Sequence, residues 1–432
     1  MKIDKSKIVH TVEACFPQAL VRVYRNEKFK ICTFIRQHRY ARIVRNLQER
    51  KSPINVVFLS ISASTWKYEH LYKLMAEDSS FQPLVLVCPQ VNFGEKFMHK
   101  QMNETLKFFK DRGYNVIPSF DEQKNDFIDL SVLHPDILMY TNPYKGIHLS
   151  QYFIGSTNNA LPCYISYYYP TGIRGYHAKL LAFESALWIN FLASSAEYHR
   201  TIYQSNCKVV GYPMFDVLKN GSNTRKDWKS KDKKYKKIIW APYHHIFPED
   251  DNIIQCSTFL KYADIMLTIA HEYQDKVQFV LKPHPLLRAK LEKHPEWGKA
   301  RTDAYFELWK AGQNTNLVEG EYIDLFNSSD ALIHDCGSFI VEYLYVNKPV
   351  LYLASSSKYG ENIGSTGIEA LMCHEIGFSE NDIKNFVRNI YCESNDSKLE
   401  ARKNFYRKNL LPPNGLTASE NMLNEIKNKL HI

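Results

Sequence analysis

The residues best suited to chemistry stand directly behind short apolar runs. Asp330–Glu342 reads DALIHDCGSFIVE, in which an apolar run enters Asp335-Cys336-Gly337-Ser338 and a helical pattern with Phe339, Ile340, Tyr343 and Leu344 on its inner side starts at once. Gly337 lets a ligand approach the backbone, Ser338 offers a hydroxyl, and first-turn N–H groups face outward, so the turn suits a diphosphate. The plainer reading is that Ser338 caps its own helix. In Lys282-Pro283-His284-Pro285 the two prolines end a strand ladder and hold Lys282 and His284 on a stiff turn. A cation and a proton donor beside a phosphate are the chemistry this permits. Trp240-Ala241-Pro242-Tyr243-His244-His245 is a third run stopped by proline, and Tyr359–Gly367 is a glycine-rich loop suited to nucleotide contact or to a lid. His244, His245 and His284 come nearest to a metal-ligand set but lack any ligand spacing, so no metal is expected.

To converge, these groups must end neighbouring strands of one sheet. From Pro53 onward, short β-rich runs alternate with helical periods: Ile54–Ser60, Pro83–Cys88, Asn115–Pro118, Asp136–Tyr140 and Pro162–Ser166, with helices near Trp66–Glu77 and Glu95–Arg112. A second series comprises Lys237–Ala241, Val277–Leu281, Asn316–Val318, Asp330–His334 and Pro349–Leu353, with helices at Ser257–Glu272 and Ser338–Val346. The expected class is α/β, with two Rossmann-like parallel-sheet domains facing a central cleft. No P-loop and no Gly-x-Gly-x-x-Gly after a strand is present, which removes the main support for an ATPase or an ordinary dehydrogenase.

The 432 residues are 44% hydrophobic and 23% charged, ordinary globular composition that excludes disordered, collagenous and coiled-coil classes. Nine cysteines without a Cys-x-x-Cys pair fit a reducing cytoplasm. Net charge is +9, and residues 1–51 alone hold 13 Lys/Arg against 4 Asp/Glu, so the basic excess is confined to that segment. Arg36, Arg39, Arg42 and Arg45 spread positive charge along one broad side of a helix whose apolar component is Ile31, Phe34, Ile35, Val44 and Leu47. Such a segment suits an anionic membrane surface or, alternatively, packs on the body as a solvated helix. Nucleic acid is not an expected partner, because no recognition fold accompanies the basic residues. Asn220–Lys237 holds eight Lys/Arg and two Asp with little apolar content and reads as a linker. The expected divisions are a basic extension at 1–51, an N-terminal domain at 52–220, a linker at 221–237, a second domain at 238–390 and C-terminal helices at 391–432.

The motifs in Lys237–Tyr359 resemble the CDP-glycerol glycerophosphotransferases, polymerases of teichoic acid and related capsule enzymes. Ile239–His245 is similar to the family's strand and Ala-Pro, Lys282–Pro285 to its basic-x-His-Pro element, and Tyr322–Glu342 to its stretch ending in a serine turn with a later acidic residue. The resemblance implies a GT-B fold, His284 at the donor phosphates and Ser338 as a serine of the diphosphate-binding turn. Lys282, His244, His245, Asp335, Gly337 and Glu342 would be their neighbours on the donor side. Cys336 and Gly337 stand where the family has Tyr and Ser, Glu342 where it has Asp, and Tyr243-His244-His245 where it has Thr-x-Arg. In the N-terminal half, Tyr168–Arg174 occupies the place of a Trp-His-Gly-Thr-Pro-Leu-Lys stretch and lacks its histidine. That leaves Tyr169, Thr171 and Arg174 as acceptor-side groups and His177 or His148 as a replacement base.

The expectation is therefore a transferase that moves a glycerol-phosphate or ribitol-phosphate-like unit from a CDP-linked donor to a hydroxyl of a bacterial surface-glycan or teichoic-like acceptor, releasing CMP. It needs no cofactor. The alternatives are a GT-B glycosyltransferase using a nucleotide sugar and a noncatalytic membrane-associated assembly factor that retains the fold. Its expected place is the cytoplasm, peripheral on the inner face of the cell membrane, beside a lipid-linked or membrane-proximal acceptor.

Overall fold

The structure, a computed structural model, describes residues 18–156, 159–172, 175–220, 227–230, 232, 234–247, 257–320, 322–361, 363–393 and 396–432. Arg174, residues 1–17 of the basic segment and residues 221–226, 231 and 233 of the charged linker lie outside the described residues.

Runs such as Val56–Leu59 and Leu138–Tyr140 are buried on both faces, which is the condition that a covered parallel sheet imposes on its strands. Strands β1 (Ile54–Ser60), β2 (Phe81–Val87), β3 (Val116–Pro118), β6 (Ile137–Tyr140), β7 (Leu161–Ile165), β8 (Ile189–Leu192) and β9 (Cys207–Val209) form one parallel sheet in the order β3-β2-β1-β6-β7-β8-β9. A short antiparallel pair, β4 (Phe120–Asp121) and β5 (Asp126–Phe127), lies beside it in sequence. The second parallel sheet contains β10 (Lys236–Ala241), β11 (Val277–Leu281), β12 (Thr315–Leu317), β13 (Ala331–His334), β14 (Val350–Leu353) and β15 (Glu375–Gly377), ordered β12-β11-β10-β13-β14-β15. Strand order reverses at β1/β6 in the first sheet and at β10/β13 in the second. The loops behind these strands thus open into a crevice.

Helices cover the sheets through stripes of period 3.6. Met98, Met102, Thr105 and Phe109 are the buried face of Glu95–Lys110, and Phe259, Tyr262, Ala263, Met266, Ile269 and Ala270 that of Phe259–Glu272. The C-terminal helix Ala418–Leu430 returns to the first domain, where Met422, Ile426 and Leu430 join its core. Its start is set by a capping box between Thr417 and Glu420 and by the fully buried Asp216, whose carboxylate accepts from the Ala418 and Ser419 N–H groups at 2.8 Å each.

Five strands are absent from the sequence-based expectation: β8, β9 and β15 of the parallel sheets and the short pair β4 and β5. β9 and β15 have three residues each, with Lys208 and Glu375 among them, and β8 has four residues of a longer apolar stretch without strand alternation. The expected single helix over 338–346 is one α-turn, Phe339–Glu342, tightened into a 3₁₀ turn at Tyr343–Val346. The helix Gln18–Glu49 packs on the body along part of its surface. Tyr40 and Leu47 are buried in the first core with Ile43 and Val44 packed beside them, while Ile31, Phe34 and Ile35 are 58%, 63% and 52% exposed.

Candidate active site

Where the strand ends of the two sheets face each other, a cavity of 390 Å³ opens between the domains. Its second-domain wall is built by four successive loops: Pro242, Tyr243 and His245 after β10, Lys282–Pro285 after β11, Gly320 and Tyr322 after β12, and Cys336–Phe339 with Glu342 after β13. The first domain contributes Ser64 and Thr65 behind β1, Tyr144 behind β6, and Tyr167, Tyr168 and Thr171 behind β7. One wall carries imidazole, ammonium and carboxylate groups. The other, among the described residues, offers hydroxyls.

His284 has a defined tautomer. The Leu286 N–H donates to its Nδ1 at 3.2 Å, which leaves the ring proton on Nε2. Burial, reinforced by His244, Lys282 and His245, pushes its pKa down to about 2, so the ring is a neutral hydrogen-bond donor at working pH. The His244 ring lies behind the cavity wall, tilted 4.1 Å from the His284 ring and edge-on 4.4 Å from that of His245. Lys282 is buried, with its ammonium 5.9 Å from the centre of the Tyr322 ring.

Asp335 is turned inward from the wall. Its carboxylate accepts from the Tyr243 N–H at 2.6 Å, from the Thr258 hydroxyl at 2.8 Å, and from the Thr258 N–H and the Ser257 hydroxyl. It thereby ties the loops after β10 and β13 to the start of the helix Phe259–Glu272. Burial raises its pKa and the donated hydrogen bonds oppose that rise. Ser338 makes no capping hydrogen bond to its helix. Its hydroxyl lies 3.3 Å from the Cys336 thiol on the cavity wall, so the plainer reading of the serine as a cap does not hold. Glu342 accepts from Tyr322 at 2.6 Å and from Tyr212 of the first domain at 2.9 Å, and Lys67 of the first domain reaches the Tyr322 hydroxyl at 3.1 Å.

Of the sequence-predicted residues, Lys282, His284, His245, Gly337, Ser338, Glu342 and Thr171 line this cavity, whereas His177, His148 and Tyr169 do not. His177 lies inside the first domain, its Nδ1 paired with Glu184 at 2.8 Å. His148 bonds the Asn142 carbonyl through Nε2 at 2.8 Å, and burial lowers its pKa to about 4. Tyr169 is fully buried and donates to the Asn409 carbonyl at 3.1 Å. The first-domain groups that sequence reasoning missed are Ser64, Thr65, Tyr144, Tyr167 and Tyr168. The hydroxyl-rich run Ser60–Thr65, directly behind the first strand, was the available signal.

The family model of CDP-glycerol:poly(glycerophosphate) glycerophosphotransferase matches residues 186–426. Among solved structures, the wall teichoic acid polymerase TagF is similar over 93% of this chain and 98% of that one, at 12% identity and a TM-score of 0.57. A TagF variant soaked with CDPG matches over the same shares at 13% identity and a TM-score of 0.57. UDP-GlcNAc 2-epimerase from Neisseria meningitidis, bound to UDP-GlcNAc, matches over 87% of this chain and 100% of that one, at 14% identity and a TM-score of 0.53. These likenesses show the fold, two parallel-sheet domains of GT-B type. No curated protein matches by sequence.

Proposed function

This chain belongs to the CDP-glycerol:poly(glycerophosphate) glycerophosphotransferase family, and we propose that it transfers a polyol phosphate, glycerol-phosphate or ribitol-phosphate-like, from a CDP-linked donor to an acceptor hydroxyl, releasing CMP. The observation that carries this reading is the asymmetry of the cavity. Lys282, the Nε2–H of His284 and the Ser338 hydroxyl share one wall, and six hydroxyl-bearing side chains form the other.

In the reaction, the acceptor oxygen attacks the phosphorus that carries the polyol, and the phosphoanhydride bond to CMP breaks. Charge spreads over phosphoryl oxygens, where a fixed cation and neutral donors stabilise it without reorganising. His284 already carries its proton on Nε2 and serves as such a donor. His245 is the other imidazole on the wall and receives the acceptor's proton. The test is turnover with CDP-glycerol, CDP-ribitol and a panel of nucleotide sugars on a soluble oligo(glycerol phosphate) acceptor. Incorporation of phosphate together with polyol and stoichiometric CMP is the expected result. Sugar transfer without phosphate would establish the glycosyltransferase alternative, and nucleotide binding with no turnover on any donor would favour the assembly factor.

The acceptor we assign is lipid-linked or membrane-proximal glycan, met by peripheral docking on the inner face of the cell membrane. No described helix is long and apolar enough to cross a membrane. At about 100° per residue, Ile31, Phe34 and Ile35 project from the side of the helix opposite Tyr40, Ile43, Val44 and Leu47, and Arg42 and Arg45 share that outer side. An apolar trio beside arginines is the pattern of an interfacial helix, each basic residue adding at most about 1 kcal/mol near anionic lipid. Phe34→Glu is expected to lower sedimentation with phosphatidylglycerol vesicles about tenfold, and binding should weaken from about 0.1 to 1 M salt as charge is screened. Removing residues 1–51 is the wrong test, because it strips Tyr40 and Leu47 from the core. Full-length protein that ignores these vesicles at low salt would leave the helix as packing alone.

A further inference from the structure

Outside the cavity wall, two loops that are remote in sequence meet backbone to backbone. The turn Pro170–Gly172 belongs to the first domain, and Thr171 lines the cavity. The segment Ile363–Gly367 follows β14 in the second domain and opens the helix Ser365–Leu371. Between them the Gly367 N–H donates to the Thr171 carbonyl at 3.1 Å. Arg200, at the end of the first-domain helix Ser195–Arg200, spans the junction: Nη1 donates to the Thr366 hydroxyl at 2.7 Å and Nη2 to the Pro170 carbonyl at 3.1 Å.

The approach leaves no room for side chains. A Cβ built on Gly364 would stand 2.2 Å from the Gly172 carbonyl oxygen, and one on Gly172, whose φ is +83°, would stand 3.2 Å from the Arg200 Nε. Glycine is therefore required on both sides, at Gly172 for its conformation as well. Thr366 is 3% exposed, which makes its hydrogen bond to a guanidinium expensive to leave unmade. The Gly367 amide lies in the first turn of its helix, where no intrahelical acceptor exists, so its partner is supplied by the other domain.

We propose that Arg200 is a positioning residue for the acceptor: with the Gly172/Gly364 contact it clasps the acceptor-side turn to the donor domain, and the turn holds its working shape only while the clasp is closed. The inference rests on the reading of the first-domain wall as the acceptor side. Arg200 does not line the cavity and acts through the turn. A donor-side event in the second domain is thereby coupled to the placement of Thr171, 195 residues before Thr366 in the chain.

Two readouts test it in full-length protein. The first is steady-state transfer to soluble oligo(glycerol phosphate). Arg200→Ala and Thr366→Val are expected to raise the acceptor KM about tenfold while the donor KM and CMP affinity stay within about twofold, since misplacing a turn by an ångström costs on this order or more. Arg200→Lys, able to reach one of the two acceptors at a time, should fall between. The second is hydrogen exchange of the Gly367 amide, which reads the clasp without any reaction and should accelerate about tenfold in Arg200→Ala and Gly364→Ala. Accelerated exchange with an unchanged acceptor KM overturns the positioning role. Unchanged exchange in both variants overturns the clasp itself. Should Arg200→Ala fail to fold, Thr366→Val and Gly364→Ala carry the same two readouts. A wild-type chain inactive on every CDP-linked donor overturns the functional reading and the acceptor assignment with it, while exchange still decides whether the clasp exists.

Discussion

His284→Ala is expected to lower kcat about 10³-fold while leaving CMP affinity and thermal stability little changed. The ring presents Nε2–H to the cavity because the Leu286 N–H occupies Nδ1, and its neutrality is enforced by burial among His244, Lys282 and His245. Removing one preorganised donor from a developing oxyanion costs about 10²–10³ in rate. Since the ring does not titrate in the working range, His284→Ala should keep the shape of the wild-type kcat/KM profile at a lower rate, and His245→Ala, which removes the proposed proton acceptor, should lower the rate as well. If both variants keep the wild-type profile and rate, the cavity is not where phosphoryl transfer happens. If turnover falls only in step with the folded fraction, the histidine is a packing residue.

Asp335→Ala is expected to destabilise the second domain by about 3 kcal/mol, because it strips the shared acceptor from two backbone N–H groups and two hydroxyls. For a domain of this size that corresponds to a fall in Tm of about 6–12 °C. Activity should fall further than stability, since the same carboxylate holds the Tyr243–His245 loop against the serine turn. Asp303→Ala is the control. That carboxylate is solvent-exposed between Arg288 and Lys299, where water screens the ion pairs and their loss should shift Tm little. Calorimetry showing equal, small shifts for both variants would mean that Asp335 is not the tie between the loops.

The local chemistry of the second domain was legible in the sequence for a physical reason. A strand buried on both faces needs an uninterrupted apolar run, and a strand that ends in proline or in a polar turn says so within a few residues. KIIWA-Pro, VQFVL-Lys-Pro-His-Pro and ALIH-Asp-Cys-Gly-Ser are complete signals by themselves, and all three turns reach the same cavity. Two parallel sheets and the convergence of these three turns followed from the alternation of strands and helices, whereas the GT-B arrangement and the place of Glu342 on the donor side came from the family resemblance. β9 and β15 were not legible, because three-residue strands containing a charged residue carry no period to read.

Tertiary structure alone decided which side chains face the cavity from the first domain. The placement of helices and loops turned the helix face shared by His177 and Glu184 into the first domain, sank Tyr169 against the C-terminal segment and brought Ser64, Thr65, Tyr144, Tyr167 and Tyr168 to the wall. The sequence showed Ile31, Phe34, Ile35, Val44 and Leu47 as one apolar component of the helix Gln18–Glu49, and only packing divided them, taking Leu47 into the core beside Tyr40 and leaving Phe34 outside. The contact of Arg200 with Thr366, and of Gly172 with Gly364, exists only once two independently coded sheets are set edge to edge. Sequence encodes what each strand end carries through local sterics and burial, whereas pairing across a cleft depends on the relative placement of whole domains, to which each residue contributes too little to be read singly.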